Sequence, residues 1–193
     1  MAESETPELL WDNRYRKNSD PKEPSLFLDE IKNFLPDSGS VVDLAGGNGQ
    51  NAIWFAQKGF STTLIDISSV ALNQAQDQAE QKNVALECMQ YDLEKFRIPP
   101  DRQWDVAFLH FFLDRELIKR IPDALHVGGV LLLAHPTRAN LKRHEHPSIR
   151  FLLDENEICE IAEGLCSMRT LKADEGWRAS GRHEAWLVAQ KIT

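Results

Sequence analysis

Cysteine is scarce. Cys88, Cys159 and Cys166 are the only three in 193 residues, an odd number without any Cys-x-x-Cys spacing. That pattern excludes a disulfide framework and a thiolate zinc site, and predicts reduced, buried thiols in a cytoplasmic protein. Basic side chains are also in deficit, 22 against 30 acidic ones, for a net charge of −8. A negative field repels phosphate backbones, so nucleic acid is not an expected partner. Long apolar runs are missing as well. The richest, 106–113 and 127–134, fall far short of the roughly 20 residues that a membrane-spanning helix requires. The acidic opening, 1–7, has neither the basic nor the apolar region of a secretory signal, and no membrane partner is expected. His144-x-His146 lacks the further ligands of a metal site. Internal repeats and low-complexity tracts are absent too. What remains, 42% apolar and 27% charged, is the composition of one globular domain over 1–193, a monomer or weak homodimer.

The chain alternates between strand and helix signals. Thr6-Pro7 reads as a helix start, with Leu9, Leu10, Trp11 and Tyr15 along a helix that ends before Pro21. A second helix spans about 25–35 and stops at Pro36. The segment 1–36 thus forms a helical N-terminal part and 37–193 the core. Strands are predicted at 40–44, 61–67, 84–90, 104–110 and 130–134. Between them lie a helix closed by Gly59, one capped by Ser68 or Ser69 with a stripe of Ala71, Leu72, Ala75 and Ala79, and one capped by Asp114. The Pro99-Pro100 segment reads as a loop, and Gly128-Gly129 as the lead into the fifth strand. Asp154-x-x-Glu157 has capping-box spacing and opens a helix to about Leu165. Two last strands, near 168–173 and 184–190, flank a loop holding Gly176 and Gly181. Such alternation predicts an α/β fold, a Rossmann-like and mainly parallel sheet with helices on both faces and an antiparallel addition at the end. Ligands then bind at the carboxyl ends of the strands.

Three carboxylates fall at such ends. Gly47-Asn-Gly49-Gln-Asn-Ala52 matches the G-x-G-x-x-G/A loop between strand and helix, which lets backbone approach a ligand closely. Asp66 ends the next strand, at the spacing where a carboxylate accepts ribose hydroxyls. Asp43 ends the first strand and Asp92 follows the third. A pyrophosphate beside Asp43 would meet like-charge repulsion, whereas a cationic nucleoside would be stabilised. S-adenosylmethionine fits, with its ammonium and sulfonium near Asp43, its ribose on Asp66 and its adenine amino group near Asp92.

These residues resemble the class I S-adenosylmethionine-dependent methyltransferases, whose Asp-x-x-x-Gly-x-Gly signature stands here as Asp43-Leu-Ala-Gly-Gly47-Asn-Gly49. The likeness is nearest to small bacterial tellurite-resistance and thiopurine-type methyltransferases. It runs from Trp11-Asp-Asn-Arg-Tyr15 through Pro24-Ser25, Asn51-Ala52, Asp66-Ile-Ser68, Asp92-Leu93 and Gly128-Gly129 to Leu187-Val-Ala-Gln-Lys191. The resemblance implies a seven-stranded sheet with a reversed last strand and a lid formed by Trp11 and Tyr15. It also implies cofactor contacts from Asp43, Ala45, Gly46, Gly47, Gly49, Asp66, Ile67, Asp92, Leu93 and His110, and S-adenosyl-L-homocysteine as product. Gly46 stands where relatives often have Cys, expected to be harmless, and Gln50 where many have Arg.

Methyl transfer from a sulfonium is an in-line displacement that alignment and desolvation can support without a protein nucleophile. His110 is the candidate general base, with a packing or cofactor-contact role as the other reading. The basic segment 138–150 sets Arg138, Lys142, Arg143 and Arg150 against Glu145 alone. With His135, Arg178, Arg182 and His183 it forms the candidate recognition set for a small anionic or thiol-like substrate, against the simpler reading of a solvated charged loop. A nicotinamide-dependent oxidoreductase shares the glycine loop and ribose carboxylate. A cofactor-binding module without turnover shares everything but the chemistry.

Overall fold

A computed structural model describes residues 6–18, 23–95 and 102–193. Pro21, the expected helix stop, the Pro99-Pro100 loop and most of the acidic opening lie outside the described residues. In chain order the elements are α1 (Pro7–Lys17), α2 (Phe27–Ile31), β1 (Ser40–Leu44), α3 (Gln50–Gln57), β2 (Ser61–Asp66), α4 (Ser69–Gln81), β3 (Glu87–Gln90) and β4 (Trp104–His110). Then come α5 (Arg115–Arg120), β5 (Leu125–Pro136), α6 (Glu157–Gly164), β6 (Met168–Trp177) and β7 (His183–Lys191). The strands form one seven-stranded sheet in the order β3-β2-β1-β4-β5-β7-β6. β1, β2 and β3 run parallel, as do β4 and β5, while β7 is antiparallel to β5 and to β6. This is the Rossmann-like α/β fold with a reversed last strand. Among the described residues no helix is long and apolar enough to cross a membrane.

Two compact units make up the chain: Met1–Ser25 with Ser38–Arg97, and Leu26–Asp37 with Ile98–Thr193. In the first, the alanine stripe of α4 does what its spacing predicts. Leu72, Ala75 and Ala79 pack with Ala52 and Ile53 of α3 and Leu64 of β2 in one core cluster. Ser68 caps α4 by accepting the Ala71 N–H. Thr6 caps α1 in the same way through Leu9 N–H, with Pro7 at the first helical position where a missing N–H costs nothing. The face of α1 is the surprise. Leu9, Leu10 and Trp11 are exposed, and the buried residue is Asp12.

In the second unit, α2 spans five residues rather than eleven and continues as a 3-10 turn over Lys32–Phe34. Its buried Phe27 packs on Phe108 of β4 and Trp186 of β7, at 6.0 and 5.1 Å between ring centroids. Burying one such ring contributes about 1.5–3 kcal/mol. Three sequence boundaries need correction. Gly128-Gly129 lies within β5, which starts at Leu125. Pairing there jumps from Trp104↔Leu125 to Val106↔Val130, so the glycines form a bulge. Gly176 belongs to β6 rather than to the following loop. The expected capping box is half made: the Asp154 N–H donates to Glu157, but α6 begins at Glu157 behind Asn156 in the left-handed region. The thiols are also less hidden than expected, with Cys159 and Cys166 exposed and Cys88 half-buried.

Candidate functional site

In the first unit the carboxyl ends of β1 and β2 carry the predicted carboxylates. Asp43 is 1% exposed, and neither of its oxygens finds a well-formed hydrogen-bond partner. Burial, reinforced by the nearby charge of Asp66, pushes its pKa up to about 8, and the Ala52 amide offsets that only in part. A carboxylate this isolated is costly unless a cation meets it. Asp66 is differently placed. One of its oxygens accepts the Gly47 N–H and the other the Ser68 N–H, both at 2.9 Å. With the Ile67 N–H as a third backbone donor, it ties the glycine loop to the start of α4 and still has acceptor capacity for an incoming hydroxyl. Burial holds its pKa above the usual carboxylate range.

The loop between them is shaped for close approach. Ala45, Gly47 and Gly49 all have positive φ, of 55°, 58° and 79°. Ala45 does so with a side chain, a strained choice for that region. A Cβ on Gly46 would collide with Leu64 and the Asp43 carboxylate, so glycine here makes room for that carboxylate. A Cys at this position, expected to be harmless, is consequently not neutral in this chain. A Cβ on Gly47 would meet the Tyr15 hydroxyl. Asn48, between the two glycines, is buried with its side-chain amide nitrogen unpartnered.

Tyr15 thus lies directly over the loop, while Trp11, 39% exposed, stands beside it at 6.2 Å between ring centroids with Arg14 over its ring. Burial and the charges of Asp66 and Asp43 raise the Tyr15 pKa well above the ordinary phenol. What fixes the helix is Asp12: its carboxylate accepts the Ser68 hydroxyl at 2.7 Å and the Val70 N–H at 3.2 Å. Beyond β2, the Ile67 carbonyl accepts from Gln90, and the Tyr91 N–H donates to the Asp66 carbonyl, bringing 91–93 alongside. Leu93 is buried there. Asp92 caps its own turn through Glu94 N–H and pairs with Lys95 at 2.9 Å. The structure therefore gathers Asp43, Asp66 and the glycine loop closely, and leaves Asp92 with local partners of its own.

The second unit holds the remaining candidates. His110 stacks on Phe111 at 3.8 Å, and burial together with the charges of His135 and Arg182 lowers its pKa to about 3. His135 is 4% exposed and bonds through Nε2 to the Phe151 carbonyl at 2.8 Å. Thr137, Arg138, Lys142, Asp154, Glu175 and His183 line a cavity of about 610 Å³. Arg138 is paired with Asp154 at 2.5 Å, and His183 Nδ1 with the Thr137 hydroxyl at 2.7 Å. Arg178 turns inward instead, bonding Asp174 and lying over the Trp186 ring at 3.7 Å. That inward pairing makes it part of the β6–β7 packing. Among the described residues no cluster suits a metal ion.

The model of the methyltransferase domain family matches residues 41–129, the stretch from β1 into β5. That stretch of the chain is similar to the methyltransferase domain family. The chain is 28% identical over 116 residues to carboxy-S-adenosyl-L-methionine synthase of Nautilia profundicola, covering 57% of this chain and 50% of that protein. It is 31% identical over 111 residues to tRNA 5-carboxymethoxyuridine methyltransferase of Escherichia coli K12, covering 54% and 42%. The chain thus spans about half the length of the curated relatives it matches. Its fold is that of the crystal structure of TehB from Haemophilus influenzae, with a TM-score of 0.69 and 20% identity over 94% of this chain and 67% of that one.

The unpartnered Asp43 oxygens and the glycine cradle suit a cationic nucleoside. Three features of the chain have no local mark in the sequence. Asp12 stands after Leu9, Leu10 and Trp11, and its burial depends on Ser68 and Val70 far along the chain. Phe111, with φ of 63°, has no sequence mark at all. The bidentate pair of Arg115 with Glu157 joins residues far apart in the chain.

Proposed function

We propose that this domain transfers a methyl group from S-adenosylmethionine to a small acceptor by in-line displacement. The observation that carries the reading is Asp43, buried, unpartnered and set beneath the glycine loop. When bound, the cofactor supplies a methyl group activated on a sulfonium. Asp43 counters the ligand's positive charge, Asp66 takes the ribose hydroxyls on its spare lone pairs, and backbone at Ala45–Gly49 allows close approach. Ile67 and Leu93 give an apolar wall, with Asp92 at the adenine edge. Trp11 and Tyr15 act as a lid, held by the anchor at Asp12.

Acceptor recognition falls to His135, Arg182 and His183, with Arg138 at the cavity rim. An imidazole held near pKa 3 is a poor base at neutral pH, so His110 serves by packing, and the acceptor is a nucleophile that needs no strong base. A diphosphate-bearing nicotinamide cofactor is disfavoured because its negative charge would face Asp43. A transfer RNA acceptor, as for the Escherichia coli relative, is disfavoured by the net charge of −8.

Isothermal titration with S-adenosylhomocysteine and with NADH tests the cofactor. Binding of the first alone is expected, weakened about 10- to 100-fold by Asp66→Ala, because a charged hydrogen-bond acceptor is lost. Failure of S-adenosylhomocysteine to bind overturns the reading. A labelled methyl donor offered with thiols, selenite, tellurite and hydroxylated aromatics then tests turnover; tight cofactor binding with no transfer to any of them would favour the module without catalysis.

A further inference from the structure

The cavity at Arg138 lies wholly within the second unit, and it carries more charge than methyl transfer calls for. Its volume of about 610 Å³ falls within the roughly 300–1,000 Å³ of small-molecule sites. Backbone bonds hold its walls. The Thr137 N–H donates to the His183 carbonyl at 3.0 Å, the Arg138 N–H to the Leu153 carbonyl at 2.9 Å, and the Leu153 N–H to the Pro136 carbonyl at 3.1 Å. The Asn156 N–H donates to the Glu175 carboxylate at 3.2 Å, tying the segment before α6 to β6. The cavity is therefore already assembled.

Two cations and three carboxylates line it: Arg138 and Lys142 against Asp154, Glu155 and Glu175. Arg138 and Asp154 neutralise each other at 2.5 Å. What remains is one ammonium and two carboxylates. The side chains of Lys142 and Glu155 have no ion-pair or hydrogen-bond partner among the described residues. Three carboxylates would suit a metal ion if they converged, yet no cluster of described residues is placed to hold one. They are spread around the walls instead, and cationic groups set apart on one organic ligand match that spread. A polyanion would meet a surplus of negative charge. A plain amine would leave Lys142 without a counter-charge, and a plain carboxylic acid would leave both glutamates without one.

We propose that this cavity binds a free α-amino acid with a cationic side chain, its carboxylate on Lys142 and its two cationic groups on Glu155 and Glu175. One anionic and two cationic groups complement what the walls leave unpaired. Binding of this kind goes beyond the methyltransferase reading and does not rest on it, since every residue involved belongs to the second unit.

Calorimetric titration of the full chain at neutral pH and about 150 mM salt tests this with free lysine, norleucine, cadaverine and glutamate as probes. Norleucine lacks the side-chain ammonium, and cadaverine lacks the carboxylate. Lysine is expected to bind about tenfold more tightly than either, and glutamate not at all. Lys142→Gln should abolish the preference for lysine over cadaverine while leaving that over norleucine. Glu155→Gln combined with Glu175→Gln should do the opposite, and glutamine at 175 keeps an acceptor for the Asn156 N–H. A melting temperature close to that of the parent protein shows that each variant is folded. Absence of lysine binding in the parent protein overturns the proposal, as does equal affinity there for lysine and either truncated probe. A preference that survives in the matching folded variant overturns it too.

Discussion

A single carboxyl group, Asp43, sets the pH behaviour of the proposed cofactor site. Asp43 has a pKa of about 8 in the folded chain against an ordinary value of 3.8. Below pH 4 it is protonated whether the chain is folded or not. Between pH 4 and 8 the folded protein keeps a proton that the unfolded chain has lost, so this group makes stability fall as pH rises through that window. A cation placed beside it reverses the preference and expels the proton. Binding of S-adenosylmethionine at pH 7 should therefore release close to one proton and tighten toward pH 8. Titrations in phosphate and in Tris, whose ionisation heats differ, measure this directly; an enthalpy independent of buffer would refute it. Asp43→Asn should remove the proton release and weaken the cofactor about 10- to 100-fold while the melting temperature holds or rises, since a costly buried acid is gone.

At the scale of elements, α1 is attached through polar rather than apolar contacts. Its apolar side chains face outward, and Asp12 acts as a second cap on α4, taking the Ser68 hydroxyl and the Val70 N–H. Burial alone would raise the Asp12 pKa, but those two bonds and Arg16 outweigh it and hold the carboxyl below the usual range. Its contribution to stability is present above pH 4 and fades as pH falls through the lowered value. Asp12→Ala should cost about 1–2 kcal/mol, as other lost caps do. It should also free Tyr15 from Gly47, so cofactor affinity drops with it. In a variant keeping Trp11 as its sole tryptophan, cofactor should change the emission, and Asp12→Ala should remove that change; an unaltered signal in the parent would speak against a lid.

The same elements show what sequence can and cannot convey. Ser40–Leu44, the Ser68 cap and the alanine stripe were readable because period and cap chemistry are local. Trp11 and Tyr15 were placed on the right helix, but the face that helix buries was not visible. That face depends on a hydrogen bond to Ser68, 56 residues away in the chain. The Gly128-Gly129 bulge was missed because a glycine pair reads equally as a turn, and only pairing with β4 decides between them. Asp43 and Asp66 were legible as carboxylates at strand ends. Their division of labour, one unpartnered and one tying down the loop, was not.

For the molecule as a whole, charge opposes any polyanionic partner. The net charge is −8, and three basic side chains of the segment 138–150 are engaged. Arg138 pairs with Asp154, Arg143 lies over the Trp177 ring at 3.7 Å and Arg150 over Phe151 at 4.4 Å. Cation–π engagement leaves charge available but fixes its position. A fluorescent single-stranded RNA should therefore show no saturable anisotropy change at about 150 mM salt, where the screening length is about 8 Å. The low-salt arm is the more searching one. A genuine binding surface would give affinity that climbs steeply as salt is removed, one counterion for each neutralised phosphate. Self-repulsion predicts the reverse tendency, weak binding that dilution of salt does not improve, so a steep salt slope would show that the segment 138–150 overrides the global field.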